Sequence, residues 1–235
     1  MWAFVLTLSI SVLACAAQGE DFVSNVKQNY QSSVNAMLVS QIQKELSASY
    51  VYQAYASYFQ RADVALPGIQ KFFAAASLEE REHAQMLIDY INKRGGHAQF
   101  NEIDLKAACE LVKADAEAQV VEDTDNRRMC ICSFVATKSL SSFCGDRGDW
   151  KDGLMAFEDA LATERYVNDQ LLRIHEHADA EKDAHLTHIL EHHFLEEQVN
   201  SINELAHYVT RLRSFTKGTG NNYKLGEYIF DQNLK

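Results

Sequence analysis

The sequence predicts an all-α protein: a bundle of four long helices, a short fifth helix at the carboxyl end, and a long insert between helices two and three. Apolar residues recur at helical spacing in four separate stretches of the 235-residue chain. The chain has one proline and 10 glycines, whereas all-β sandwiches and barrels need many more chain-breaking residues. Hydrophobic residues make up 47% of the sequence, which is enough to fill a core.

Residues 1–19 are predicted to be a secretory signal peptide, and residues 20–235 the folded domain. The apolar run from Trp2 to Leu13 is too short to span a bilayer, and small residues follow it before the first charge at Glu20. Cleavage is expected between Ala16 and Glu20. The alternative, a buried amino-terminal helix, would need apolar cover on all sides. A secreted protein without a membrane span is therefore expected.

The first two helices are predicted to form an antiparallel hairpin. Helix one lies between Ser32 and Gln60, where apolar residues follow the helical period. Pro67 begins helix two, because proline suits the first turn of a helix. Helix two ends at Gly95 and Gly96, a carboxyl-terminal signal. The join between the helices is short, so they are neighbours.

The second pair of helices follows the insert. Helix three starts near Asp152, and helix four has an apolar stripe that includes Phe194 and ends before Gly218. Each main helix has about 28 residues, hence about 42 Å at 1.5 Å per residue, a length typical of four-helix bundles. A short amphipathic segment from Leu225 to Phe230 closes the chain.

The insert, at about residues 104–147, contains every cysteine that remains after signal removal. In an oxidising compartment an even number of cysteines predicts two disulfides, with three possible pairings. A zinc site and free thiols are the alternatives, although the single-residue gap in the Cys-x-Cys pair is shorter than zinc ligands usually have. The four residues are Cys109, Cys130, Cys132 and Cys144.

Charge excludes two classes of partner. The chain has 33 acidic and 22 basic residues, a formal net charge of −11. Nucleic acid and anionic membrane surfaces both demand a basic patch, so neither is expected. The acidity is compatible with a protein that binds cations.

Polar residues interrupt all four apolar stripes and are predicted to face one interior. Three carboxylates, one imidazole and one amide have this placement: Glu45, Glu80, His83, Glu164 and Gln198. Several buried, unpaired carboxylates are costly, so a cation is needed to hold them there. Hard oxygen ligands with one imidazole suit iron or manganese, and Glu-x-x-His is a ligand element of di-iron bundles.

Longer runs resemble the heavy-type subunit of the ferritin family. The resemblance covers about residues 30–103 and 148–235, and the signal and insert make the chain similar to the secreted, yolk-type ferritins of molluscs. The runs are Leu46–Tyr52, Asp63–Leu66, Glu79–Ala84, Arg94–Gly96, Trp150, Gly153–Leu154, Glu196–Val199 and Glu227–Asp231.

The resemblance implies a ferritin-like bundle that assembles into a hollow 24-subunit shell, homomeric or mixed. It implies that Fe(II) is oxidised by O2 at a di-iron ferroxidase site and stored as ferric mineral. Glu45, Glu80 and His83 match the first iron site, with Glu80 bridging; Glu79 and Glu164 match the second. Tyr52 and Gln198 match the adjacent tyrosine and glutamine, and Glu82 is a candidate for mineral nucleation.

One set of residues departs from the family pattern. Where the family lines its three-fold channel with an aspartate and a glutamate, this chain has His188 and Glu191, and His175 matches an outer channel histidine. Histidine in place of aspartate weakens an anionic funnel, more so when protonated. The family's route for iron is therefore either altered or dependent on pH in this chain.

Three rival functions follow from the same residues. His188-Ile-Leu-Glu-His192 matches the H-x-x-E-H zinc-peptidase motif, but no third ligand is evident and the carboxylate set is left unexplained. A secreted iron carrier or nutrient store without active oxidation needs the same shell. A helical cytokine-like binding module has no reason to bury metal-ligand residues at one level.

Overall fold

The computed structural model describes residues 25–103, 152–216 and 222–234. Within these ranges the chain is helical and has no strand. The helices are α1 (Ser32–Gln60), α2 (Pro67–Lys93), α3 (Gly153–Ala180), α4 (Ala184–Leu190, Glu191–Leu195 and Glu196–Ser214) and α5 (Tyr223–Asn233). The predicted all-α class, with four long helices and a short fifth, is confirmed.

The ends of α2 follow from local sequence. Pro67 occupies the first turn, where its missing N–H has no helical partner to lose. The helix ends before Gly95, whose φ of 76° is a left-handed conformation that glycine adopts without a Cβ clash.

Aspartates begin the two helices of the second pair. Asp152 accepts a hydrogen bond from the backbone N–H of Met155 at 3.0 Å, and Asp183 accepts one from Leu186 at 3.1 Å. Each carboxylate satisfies one of the N–H groups that a helix start leaves without a partner. The predicted start of α3 near Asp152 is therefore confirmed.

A π-helical turn at Glu191–Leu195 lies inside α4 and was not predicted. Four buried side chains of this helix are spaced four residues apart: Leu186, Leu190, Phe194 and Gln198. In a helix of 3.6 residues per turn, each such step rotates the side chain by about 40° from its predecessor. The wider turn offsets this rotation and keeps the four side chains facing the core. The uninterrupted spacing by four was the available sequence signal.

The core has two hydrophobic clusters along the bundle. One is rich in aromatic side chains and includes Tyr55, Phe59, Phe73 and Phe157. The other is mainly aliphatic and includes Leu38, Ile42, Leu87, Ile91 and Leu171. Along α1, Glu45 falls between Ile42 of the aliphatic cluster and Ala48 of the aromatic one. The polar interior level predicted from sequence therefore lies between the two clusters.

Candidate metal centre

All four long helices contribute buried polar side chains to the level between the clusters. The side chains predicted to face the interior are all less than 7% exposed: Glu45 (0%), Glu80 (3%), His83 (6%), Glu164 (6%), Gln198 (3%) and Tyr52 (1%). Because Glu80 and His83 are three residues apart on α2, they share one helix face.

Glu45, Glu80 and His83 form the tightest group at this level. One ligand atom of each residue lies within 4.8 Å of the others. His83 Nδ1 is 3.4 Å from Glu80 Oε2. Two carboxylates and an imidazole at this separation can close around one cation, which replaces the repulsion between the acids with attraction to the metal.

Glu164 is held from two sides by other helices. Tyr52 donates a hydrogen bond to its Oε1 at 2.5 Å, and Gln198 Nε2 donates one to its Oε2 at 2.9 Å. Both carboxylate oxygens therefore have a fixed direction before any cation arrives. This arrangement restricts the side chain to one rotamer beside the group formed by Glu45, Glu80 and His83.

Some buried oxygens at this level have no hydrogen-bond donor. Gln41 Nε2 donates to Glu45 Oε1 at 2.7 Å, but Glu45 Oε2 and Gln198 Oε1 meet no N–H or O–H donor among the described residues. Buried polar atoms in native proteins nearly always have a partner. Oxygens from two helices, together with the imidazole of His83, fit a hard cation such as iron.

The electrostatics of the level also favour a bound cation. Burial raises the pKa of Glu45 and Glu80 above the usual carboxyl range, and repulsion from Glu164 and Glu45 raises that of Glu80 further. Burial lowers the pKa of His83, but its hydrogen bond to Glu197 and the surrounding carboxylates outweigh burial and bring the pKa to about 8. A bound cation relieves these shifts, because it stabilises the ionised carboxylates.

A cavity of about 100 Å³ opens beside these residues. Its wall includes Glu79, Glu80, His83, Glu164 and Glu197. Glu79 is exposed on the helix surface, yet it lies on this wall, and partial burial with the nearby charge of Glu197 raises its pKa. The cavity gives a small hydrated cation access to the buried carboxylates.

Comparison with known proteins agrees with the fold. The model of a family described as Ferritin-like domain matches residues 35–215. The yolk ferritin of Lymnaea stagnalis is 64% identical over 224 residues, which is 94% of each chain. The chain belongs to the ferritin family. The resemblance to mollusc yolk-type ferritins is thereby confirmed.

Two further relatives are more distant ferritins. The soma ferritin of Lymnaea stagnalis is 39% identical over 210 residues, covering 89% of this chain and 95% of its own. The chloroplastic ferritin-3 of Vigna unguiculata is 36% identical over 212 residues, covering 90% of this chain and 67% of its own.

Sequence reasoning missed two side chains at this level of the ferritin bundle. Gln41, fully buried, donates to Glu45. Glu197 Oε2 accepts a hydrogen bond from His83 Nε2 at 2.7 Å. When a metal binds, His83 loses one of its two ring protons; the bond to Glu197 keeps the remaining proton on Nε2, so Nδ1 is the ligand atom. Glu197 lies in the Glu196–Val199 run and immediately precedes the inward-facing Gln198, and these were the available sequence signals.

The predicted channel residues lie elsewhere, on exposed or half-buried positions of α3 and α4. His175 Nε2 is 2.7 Å from Glu191 Oε1. His188 stacks on His192, with ring centroids 5.7 Å apart. The glutamate of the H-x-x-E-H motif is therefore paired with a histidine of another helix, and the described residues supply no third ligand to His188 and His192.

Several predictions concern residues outside the described ranges. The signal peptide, the insert and the four cysteines all fall there, so the disulfides stay a prediction. Among the described helices, none is both long and apolar enough to cross a membrane.

Proposed function

We propose that this ferritin-family chain stores iron, and that it oxidises Fe(II) with O2 at the candidate metal centre before Fe(III) is deposited as mineral. One observation carries the proposal: buried carboxylates from three helices share one level with a single imidazole among the described residues. Such a level is costly without a cation. A protein that only packed four helices would place apolar residues there.

Each side chain has a proposed role toward the Fe(II) substrate. Glu45 and His83 hold the first ion, Glu80 bridges, and Glu164 with Glu79 holds the second. Carboxylates favour Fe(III) over Fe(II), because an anionic ligand stabilises the higher charge more. Each of two ions held side by side gives one electron to a single O2.

Two residues position these ligands. Tyr52 and Gln198 fix both oxygens of Glu164, so little rearrangement is needed when iron binds. Glu82 is exposed on the same helix as Glu79, and it is proposed to nucleate mineral once the subunits enclose a cavity.

The proposal includes a secreted shell of 24 subunits, homomeric or mixed. Large apolar side chains that are exposed on several helices are available for contacts with other subunits: Tyr50, Leu78, Met86, Val199, Tyr228 and Ile229. Sizing and negative-stain images of the mature protein test assembly, and a stable monomer contradicts the shell. Iron is proposed to reach the interior past His175, His188 and Glu191.

The decisive experiment is a stopped-flow measurement of aerobic Fe(II) oxidation. Wild type is compared with a Glu80→Ala, His83→Ala variant and with Asp89→Ala, which removes an exposed acid from the same helix. Wild type and Asp89→Ala are expected to oxidise iron rapidly and equally, and the double variant slowly. Equal rates in all three proteins would show that the assigned centre is wrong.

A second candidate function is iron supply without active oxidation. The name of the Lymnaea stagnalis relative, yolk ferritin, favours a nutrient store. This function predicts an assembled shell in which wild type oxidises iron no faster than the double variant. The same measurement therefore separates the two functions.

A further inference from the structure

Four histidines lie close together in α4, and each has a different environment. His185 stacks on Tyr90, with centroids 5.8 Å apart. His188 and His192 stack on each other, with centroids 5.7 Å apart and ring planes within 8°. The ring of His193 meets that of His192 edge-on, at 72°. Only His188 and His192 therefore present parallel rings from the same helix face.

This pair has the geometry of an intrahelical chelate. Residues four apart on a helix point the same way, and two histidines at this spacing on one face bind zinc in helical metal sites. A tetrahedral zinc ion with Zn–N bonds of about 2.0–2.1 Å needs the two histidine nitrogens that bind it to lie roughly 3.4 Å apart. Parallel rings reach that separation when their tips converge by small rotations about the side-chain bonds.

The neighbouring charged group does not compete for this role. Glu191 lies between the two histidines in sequence, but its carboxylate is 2.7 Å from His175 Nε2. The pair therefore offers two imidazoles rather than a carboxylate-rich site. Imidazole suits zinc, copper and nickel, whereas carboxylates suit harder cations.

We propose that His188 and His192 together bind one borderline transition-metal ion per subunit, with Zn²⁺ or Cu²⁺ preferred over the hard cations that the buried centre selects. Both histidines are exposed, whereas Glu45, Glu80 and His83 are buried. Water completes the coordination of the ion. The site is distinct from the candidate metal centre and does not depend on iron oxidation.

The test is a Zn²⁺ titration of the iron-free mature protein against a chromophoric chelator, near pH about 7.5, where histidine is mostly neutral. The proteins are wild type, His188→Gln, His192→Gln and His207→Gln. His207 is the matched control, because it is an exposed histidine of the same helix outside the pair. Each is also made in the Glu80→Ala, His83→Ala background, where the buried centre no longer contributes.

His188→Gln and His192→Gln are each expected to lose one zinc equivalent per subunit from the tight class, in either background. Outer partners of a metal ligand alone affect affinity roughly 10–100-fold, so loss of a ligand weakens this site at least about tenfold. His207→Gln is expected to match wild type. Equal zinc stoichiometry in all four proteins overturns the proposal. A loss of one third of a zinc equivalent per subunit also overturns it, because that value indicates a site shared by three subunits.

A spectroscopic measurement checks the ligands directly. With one equivalent of Cu²⁺ per subunit in the background lacking the buried centre, the electron paramagnetic resonance spectrum is expected to show coupling to two imidazole nitrogens. The coupling is expected to fall to one nitrogen in His192→Gln. An unchanged coupling pattern in that variant contradicts chelation by the pair.

Discussion

The phenol of Tyr52 on α1 donates a hydrogen bond to Glu164 Oε1 on α3, 2.5 Å away and out of contact with bulk water. The two residues are 112 positions apart in the chain. Gln198 on α4 holds the other oxygen of the same carboxylate. Three helices thus determine the direction of one proposed iron ligand.

Tyr52→Phe is expected to slow aerobic Fe(II) oxidation several-fold while the protein stays folded. Removing the hydroxyl leaves a buried carboxylate oxygen without its donor, which destabilises the folded protein by about 1–3 kcal/mol and frees Glu164 to rotate. Stopped-flow oxidation and thermal unfolding measure the two effects. Tyr55→Phe is the control, because Tyr55 is a buried neighbour whose hydroxyl faces Asp159 at 3.4 Å. If both variants slow oxidation equally, Tyr52 has no specific positioning role.

Glu80→Gln is expected to make the metal-free protein more stable and to reduce its stabilisation by metal. Its carboxylate is buried and repelled by Glu164 and Glu45, which raises its pKa well above the ordinary value. A neutral amide of similar shape removes that repulsion, whereas a bound cation needs the charge. Differential scanning calorimetry with and without a divalent metal measures both effects.

The control for this stability prediction is Asp89→Asn. Asp89 is an exposed acid of α2, so its neutralisation is expected to shift stability by less than about 0.5 kcal/mol. It is also expected to leave the metal-induced increase in melting temperature intact. A less stable metal-free Glu80→Gln protein would contradict the idea that unpaired charge strains this level.

Helix α5 is expected to stabilise the starts of two long helices. Glu227 accepts a hydrogen bond from the backbone N–H of Gly153 at 2.5 Å, and Asp231 accepts one from Ile69 at 2.9 Å. Carboxylates at helix amino termini satisfy free N–H groups and oppose the positive end of the helix dipole. Replacing either acid with alanine is expected to cost about 1–2 kcal/mol.

Chemical denaturation of Glu227→Ala and Asp231→Ala measures this cost. Lys224→Ala is the comparison, because the largely exposed Lys224 contacts Glu227 at 3.0 Å and an exposed cation contributes only about 0–1 kcal/mol. Equal destabilisation by all three changes would show that the backbone contacts of α5 add nothing beyond its packing.

Asp183→Ala is expected to be among the most destabilising single changes outside the hydrophobic core. Asp183 is 2% exposed, and its two oxygens pair with the guanidinium of Arg94 at 2.9 and 3.0 Å. It also caps α4 through Leu186. Loss of one partner of a buried pair costs about 3–5 kcal/mol.

The control for the buried pair of Asp183 and Arg94 is an exposed ion pair, Asp169 with Arg173. Their side chains are 53% and 66% exposed, and the ion pair measures 3.0 Å. Asp169→Ala is expected to change the free energy of unfolding by less than about 1 kcal/mol. Denaturation curves of the two alanine variants should differ clearly; coincident curves would mean that burial adds nothing to the Arg94 pair.

Local patterns carried most of the fold prediction. The helical period placed α1 at the observed Ser32–Gln60, Pro67 marked the start of α2, and Asp152 the start of α3. The π-helical turn in α4 was not predicted, because it depends on which side chains the opposing helices bury. Helix α5 was predicted shorter than the observed Tyr223–Asn233, since its ends contact α2 and α3.

The sequence by itself determined the helices, the membership of the ferritin family, and the residue types that face the interior. These properties follow from spacing along one helix, which is a local quantity. Only the tertiary structure decided that Tyr52 and Gln198 hold Glu164, that Glu197 orients His83, and that Glu191 turns to His175 and leaves His188 beside His192. Each of these contacts except the His188–His192 stack joins two helices, so it depends on the axial offset and rotation of one helix against another.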